Sequence, residues 1–96
     1  MIVVADTSPF LVLVAIGHVD VLPHLYGRLV IPPEVAGELA SPRRTKLVQT
    51  FIASPPSWLE QRAPSAVERI PDLDPGEAAA ISLACELRAD QVIIDE

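Results

Sequence analysis

The 96-residue sequence is poor in cysteine, poor in positive charge, and without a long apolar run. Its single cysteine, Cys85, excludes an internal disulfide and fits a reducing compartment. Seven Lys and Arg stand against 13 Asp and Glu, a net charge of −6, which argues against a protein held on nucleic acid by a broad basic face. A nuclease that reaches phosphate through metal ions stays open. The apolar N-terminal stretch has no Lys or Arg before it and is interrupted by Asp6, so it is neither a secretory signal nor a membrane span. His18 and His24 lack metal-ligand spacing, and there is no internal repeat or low-complexity tract. These absences lead us to expect one domain, residues 1–96, that is soluble and cytoplasmic and has no membrane partner. Its small size makes it marginal in stability.

Half of the residues are hydrophobic, so a core is possible. Two β-branched apolar runs carry most of the information. One leads through Ile2, Val3, Val4 and Ala5 to Asp6; the other leads through Val92, Ile93 and Ile94 to Asp95 and Glu96. Such runs read as strands buried on both faces, as in a parallel sheet. In an open α/β sheet, ligands bind just outside the carboxyl ends of the strands. If the two strands are neighbours, Asp6 and Asp95 converge there, and paired carboxylates suggest a divalent metal and phosphate chemistry.

Between these runs the pattern alternates. Residues 2–6 read as a strand. A helix follows, with Thr7 or Ser8 as N-cap, Pro9 in its first turn and Gly17 near its stop. Residues 10–16 are apolar all round, so this helix is expected to be deeply buried or to cover the sheet. Residues 18–26 read as a second helix with Val21, Leu22 and Leu25 inward, and residues 28–31 as a strand. Pro32-Pro33 opens a third helix ending near Ser41-Pro42. Residues 43–53 read as a fourth helix with Leu47, Val48, Phe51 and Ile52 on one face, and residues 58–62 as a strand. Residues 63–73 are loop, with a helical turn at 66–69. Asp74-Pro75-Gly76-Glu77 opens the last helix, which runs to about Leu87, and the final strand follows. Strands alternating with helices predict an α/β fold with a parallel sheet and right-handed crossovers.

Each candidate residue also has an ordinary structural role. Asp6 at a strand–helix junction favours the helix N-terminus electrostatically, and Asp95 can simply end a strand. Asp74, Pro75 and Glu77 have the spacing of a capping box. Glu34 and Glu38 lie four apart on one helix face, where both can be solvated. Arg43, Arg44 and Lys46 form the only basic cluster, either a solvated helix start or a phosphate-contact patch. Cys85 and Trp58 read as packing residues.

Four segments occur together in an order that resembles PIN-domain proteins: Val4-Ala5-Asp6-Thr7-Ser8-Pro9; Val30-Ile31-Pro32-Pro33-Glu34-Val35 with Glu38-Leu39; Leu73-Asp74-Pro75-Gly76-Glu77-Ala78; and Ile93-Ile94-Asp95-Glu96. The chain looks most like the VapC-like toxin branch, of the DUF3368 type. The resemblance implies a three-layer α/β/α fold on a parallel sheet, in order 3-2-1-4 with the family's fifth strand missing. It implies a Mg²⁺- or Mn²⁺-dependent ribonuclease of toxin–antitoxin type, hydrolysing RNA phosphodiesters. By resemblance, Asp6, Glu38, Glu77 and Asp95 are the catalytic and metal-holding residues, Ser8 supports them, and Glu38 is preferred over Glu34. Hard oxygen ligands suit these ions, and a carboxylate cluster without a cation repels itself. The implied partners are RNA, a second copy in a homodimer, and a small antitoxin protein.

Family members usually continue past the Asp-Glu pair with a helix and a further strand. We therefore expect a domain truncated at its C-terminus, whose apolar last strand favours self-association. The alternative reading is a catalytically inactive PIN-like module that binds protein or RNA. A HAD-type phosphatase is disfavoured, because Ser8 stands where its second aspartate would be needed.

Overall fold

In a computed structural model, which describes residues 1–67 and 71–94, the β-branched runs become four three-residue strands. They are β1 (Val3–Ala5), β2 (Leu29–Ile31), β3 (Leu59–Gln61) and β4 (Gln91–Ile93), all parallel, in the order β3-β2-β1-β4. The α/β class and the 3-2-1-4 order are those expected. Strand β4 is pinned to β1 at both ends. Ile2 N–H donates to Asp90 Oδ2 at 2.7 Å at one end, and Asp6 N–H donates to the Ile93 carbonyl at 2.9 Å at the other.

The period-two alternation of strand side chains sends Val3, Ala5, Leu29 and Ile31 to one face and Val4 and Val30 to the other. Both faces are covered. Helices α1 (Ser8–Ala15), α2 (Val21–Tyr26), α3 (Pro33–Leu39) and α4 (Lys46–Ala53) contribute Phe10, Leu22, Val35, Leu39 and Val48 to the first core. Helix α5 (Pro75–Leu87) contributes Ala80, Leu83 and Ala84 to the second.

Helix starts follow local chemistry. Pro33 and Pro75 open α3 and α5, and the Asp74 carboxylate caps α5 by accepting from Glu77 N–H at 2.8 Å. Thr45 caps α4 by accepting from Val48 N–H, so α4 begins at Lys46 and Arg43 and Arg44 lie in the preceding turn instead of in the helix.

Sidedness departs from expectation in three helices and at Cys85. In α1 only Phe10 is fully buried, while Val12 and Ile16 are each 59% exposed. Helix α1 packs on α4 through Phe10 and Phe51, whose ring centroids are 5.9 Å apart, and its opposite flank faces outward. Helix α2 begins at Val21 instead of residue 18 and buries Leu22 alone; Val21 and Leu25 are exposed. In α4, Leu47 is 62% exposed, apart from the inward Val48. Cys85 stands exposed on α5, on the side away from the sheet. Trp58 packs on Phe51 as expected of a packing residue. The turn expected at 66–69 falls partly outside the described residues. Among the described residues, no helix is long and apolar enough to cross a membrane.

Candidate active site

The site grows from the carboxyl end of β1. Ala5 pairs with Ile93, and the bond from Asp6 N–H to the Ile93 carbonyl holds Asp6 where β1 gives way to α1. Asp6 is 5% exposed. Burying a carboxylate is unfavourable unless its surroundings compensate, and an apolar core has no use for one.

Thr7 is as buried as Asp6 and occupies the N-cap position of α1, with helical backbone angles and no capping bond from its side chain. Its hydroxyl donates instead to Glu38 Oε2, at 2.5 Å. A hydrogen bond to an ionised carboxylate is roughly twice as strong as a neutral one, which accounts for the choice. The family resemblance implies that Ser8 is the supporting hydroxyl and does not single out Thr7. Ser8 begins α1 and lines a small pocket with Pro9, Val12, Ile93 and Ile94. The only local sign of Thr7's role is its place between a strand-end aspartate and a helix start.

Glu38 is on α3, where Val35, Ala36 and Leu39 form the inward stripe and leave Glu38 half-buried beside α5. Its carboxylate lies against the backbone of Gly76, in the first turn of α5. A Cβ built on Gly76 would stand 2.5 Å from Glu38 Oε1. The missing Cβ of Gly76 leaves the space that the Glu38 carboxylate occupies.

Glu77 follows at the third position of α5. Its pKa is raised above the ordinary value of 4.5, first by a carboxyl–carboxyl hydrogen bond with Asp74 and then by burial. The charges of Asp74 and Asp6 raise it further, against the lowering effect of the Asp74 backbone N–H. Glu77 is thus within electrostatic reach of Asp6. Asp6, Thr7, Glu38, Gly76 and Glu77 form one continuous neighbourhood at the sheet's carboxyl edge. Asp95 lies outside the described residues.

A cleft of about 570 Å³ opens beside this neighbourhood. Its charged lining is Glu34, Glu38, Asp74, Arg43 and Arg44. Glu34 Oε1 is itself buried, out of reach of solvent, without a hydrogen-bond partner among the described residues. Lys46, exposed at the start of α4, is not part of this lining.

These donors suit a hard divalent cation. Among the described residues no three His, Cys, Asp or Glu side chains converge closely enough to hold one ion by themselves. Mg²⁺ commonly keeps several waters and is held by one or two carboxylates, so the donor set fits such an ion with water or substrate oxygens completing its shell.

No curated protein and no solved structure matches the chain. A family model, DUF3368, described as a PIN domain, does match, over residues 2–96. With nearly the whole length matched on a parallel sheet in the 3-2-1-4 order, the chain belongs to the PIN-domain family, whose domains are nuclease-like and generally depend on divalent metals.

Proposed function

We propose that this chain is a Mg²⁺- or Mn²⁺-dependent ribonuclease of the VapC-like, toxin–antitoxin kind. The observation that carries the reading is the single neighbourhood of Asp6, Glu38 and Glu77, knit by Thr7 and Gly76 at the carboxyl edge of the sheet. One or two of Asp6, Glu38 and Glu77 would bind the metal directly and the others through water, with Asp95 as a fourth carboxylate. A bound divalent ion supplies hydroxide near neutral pH and offsets charge on the phosphodiester in the transition state. Thr7 fixes one oxygen of Glu38, so the other is presented in a set direction. Asp74 fastens Glu77 to the first turn of α5. Cytoplasmic localisation, a homodimer through the exposed apolar flank of α1, and capture by a small antitoxin protein complete the proposal.

The test is Mn²⁺ binding and cleavage of single-stranded RNA. Asp6→Asn should weaken Mn²⁺ binding strongly, and EDTA should abolish cutting. Cutting that persists in EDTA would overturn the metal-dependent mechanism. A second reading, a non-cleaving module that binds RNA or protein, is favoured by the lack of a three-carboxylate set among the described residues. RNA binding without cleavage at saturating Mn²⁺ would select it.

A further inference from the structure

Arg43 and Arg44 are the cations of the cleft, and neither is spent on the carboxylates beside it. Arg28 and Arg62 both pair with Glu60, at 3.4 and 2.8 Å. Arg43 and Arg44 form no ion pair among the described residues, although Glu34, Glu38 and Asp74 share their cleft. Arg44 is nonetheless held in place. Its Nε donates to the Glu38 carbonyl at 3.2 Å, its backbone N–H to the Ser41 carbonyl at 2.9 Å, and its own carbonyl accepts from Gln49 Nε2 at 2.8 Å. A guanidinium has five N–H donors, so one bond through Nε leaves both terminal nitrogens for a ligand. The anchor is the backbone of Glu38, so the guanidinium is set at a fixed offset from a candidate metal-holding carboxylate.

Glu34 supplies the complementary need. Its buried Oε1 has no donor among the described residues, and buried acceptors are normally satisfied. A ligand that fills this cleft well therefore carries an anionic group for the arginines and a hydroxyl or amino donor for Glu34. A simple anion offers only the first; a nucleotide within a strand offers both. Forked guanidinium donors match phosphate oxygens in geometry as well as charge.

We propose that the turn of residues 41–45 is the strand-holding wall of the site. Arg44, with Arg43 beside it, binds a phosphate neighbouring the one that is cut, and the Glu34 side chain, which lines the cleft, turns its buried Oε1 outward to accept a hydrogen bond from a hydroxyl or amino group of the adjoining nucleotide. The assignment rests on the nuclease reading for its substrate.

A labelled single-stranded RNA oligonucleotide, titrated with the full chain in EDTA across a salt series, tests it. Arg44→Ala should weaken binding about tenfold and lower the log–log salt slope by about 0.7, the value for one phosphate contact on a single strand. Arg43→Ala, whose side chain makes no hydrogen bond or ion pair among the described residues, should move both in the same direction and by less. A purely structural arginine would not change the slope. Glu34→Ala should weaken binding with the slope unchanged. Arg28→Gln, at the opposite end of the strands, should alter neither quantity.

Wild-type slopes in both arginine variants, or no binding by the wild-type chain, would overturn the assignment. Tighter binding by Glu34→Ala, the effect of charge removal alone, would overturn Glu34's part. Arginine-dependent binding without cleavage in Mn²⁺ would sink the nuclease reading and leave the wall standing. Cleavage with KM unchanged in both arginine variants would do the reverse.

Discussion

Helices α1 and α5 start alike, each with a proline in its first turn and apolar residues on most sides. Six residues of α5 are buried, whereas α1 buries Phe10 alone. The helix with the larger side chains is the one that buries fewer of them. Helix α5 provides the apolar cover for Val4 and Val30, and its buried residues are Gly76, four alanines and Leu83. Small side chains let its backbone lie close to β1 and α3. Helix α1 shares the other face with α2, α3 and α4, so one flank suffices and Val12 and Ile16 point outward. Hydrophobicity thus leads to burial only where the fold offers a surface to meet it.

The largest effect that could break this comparison is on stability. Leu83→Ala removes a fully buried side chain and should cost about 2–5 kcal/mol in urea unfolding. Ile16→Ser should stay within about 0.5 kcal/mol, as surface changes do. Comparable costs would mean that the α1 flank is covered in solution. Sedimentation of Ile16→Ser against the wild type then decides whether a second copy covers it, since a shift from dimer to monomer is expected if it does.

The next effect separates stability from the site. Gly76→Ala places a methyl group against Glu38 Oε1, the free end of a flexible side chain that can swing aside. Alanine is favoured over glycine in a helix by about 1 kcal/mol, so unfolding should be unchanged or slightly delayed. Mn²⁺ affinity should nevertheless fall about 10–100-fold, the usual cost of disturbing a residue that orients a ligand. Thr7→Val, which removes the hydroxyl held by Glu38, should act in the same direction. Unchanged affinity in both variants would remove Glu38 from the metal site.

Element starts were legible in the sequence because their causes are local. Asp74-Pro75 before α5 and the β-branched runs of β1 and β4 act within a few residues, and Thr45 before Lys46 could have marked the true start of α4. The strand order came only with the family resemblance, since no local signal says which strands are neighbours. Sidedness was not legible. Leu25, Leu47 and Ile16 are exposed because of where other helices sit, which a periodic pattern does not encode. Thr7 was hidden for the same reason. Its hydroxyl had a capping role available nearby, and Glu38, 31 residues away in sequence, took it instead.

The smallest expected effect tests the exposed end of α5, at Glu86, one turn beyond the buried Leu83. Ser65 N–H donates to both oxygens of Glu86, at 3.1 and 3.2 Å, and ties the loop at 63–67 to the helix. The bonds to Ser65 hold the Glu86 carboxyl below its ordinary value of 4.5, with slight burial opposing them. A carboxyl whose pKa is lower in the folded state binds fewer protons there, so its stabilising contribution is present above pH 4.5 and is lost as pH falls through the lower folded value. Both groups are exposed, and the contribution is correspondingly weak. Glu86→Gln should therefore lower the thermal midpoint slightly at pH 7 and leave it unchanged in strong acid, where the wild-type carboxyl is protonated in both states. Leu83→Ala should lower it at every pH. A Glu86→Gln effect that persists undiminished in acid would show that packing, not charge, holds the loop to α5.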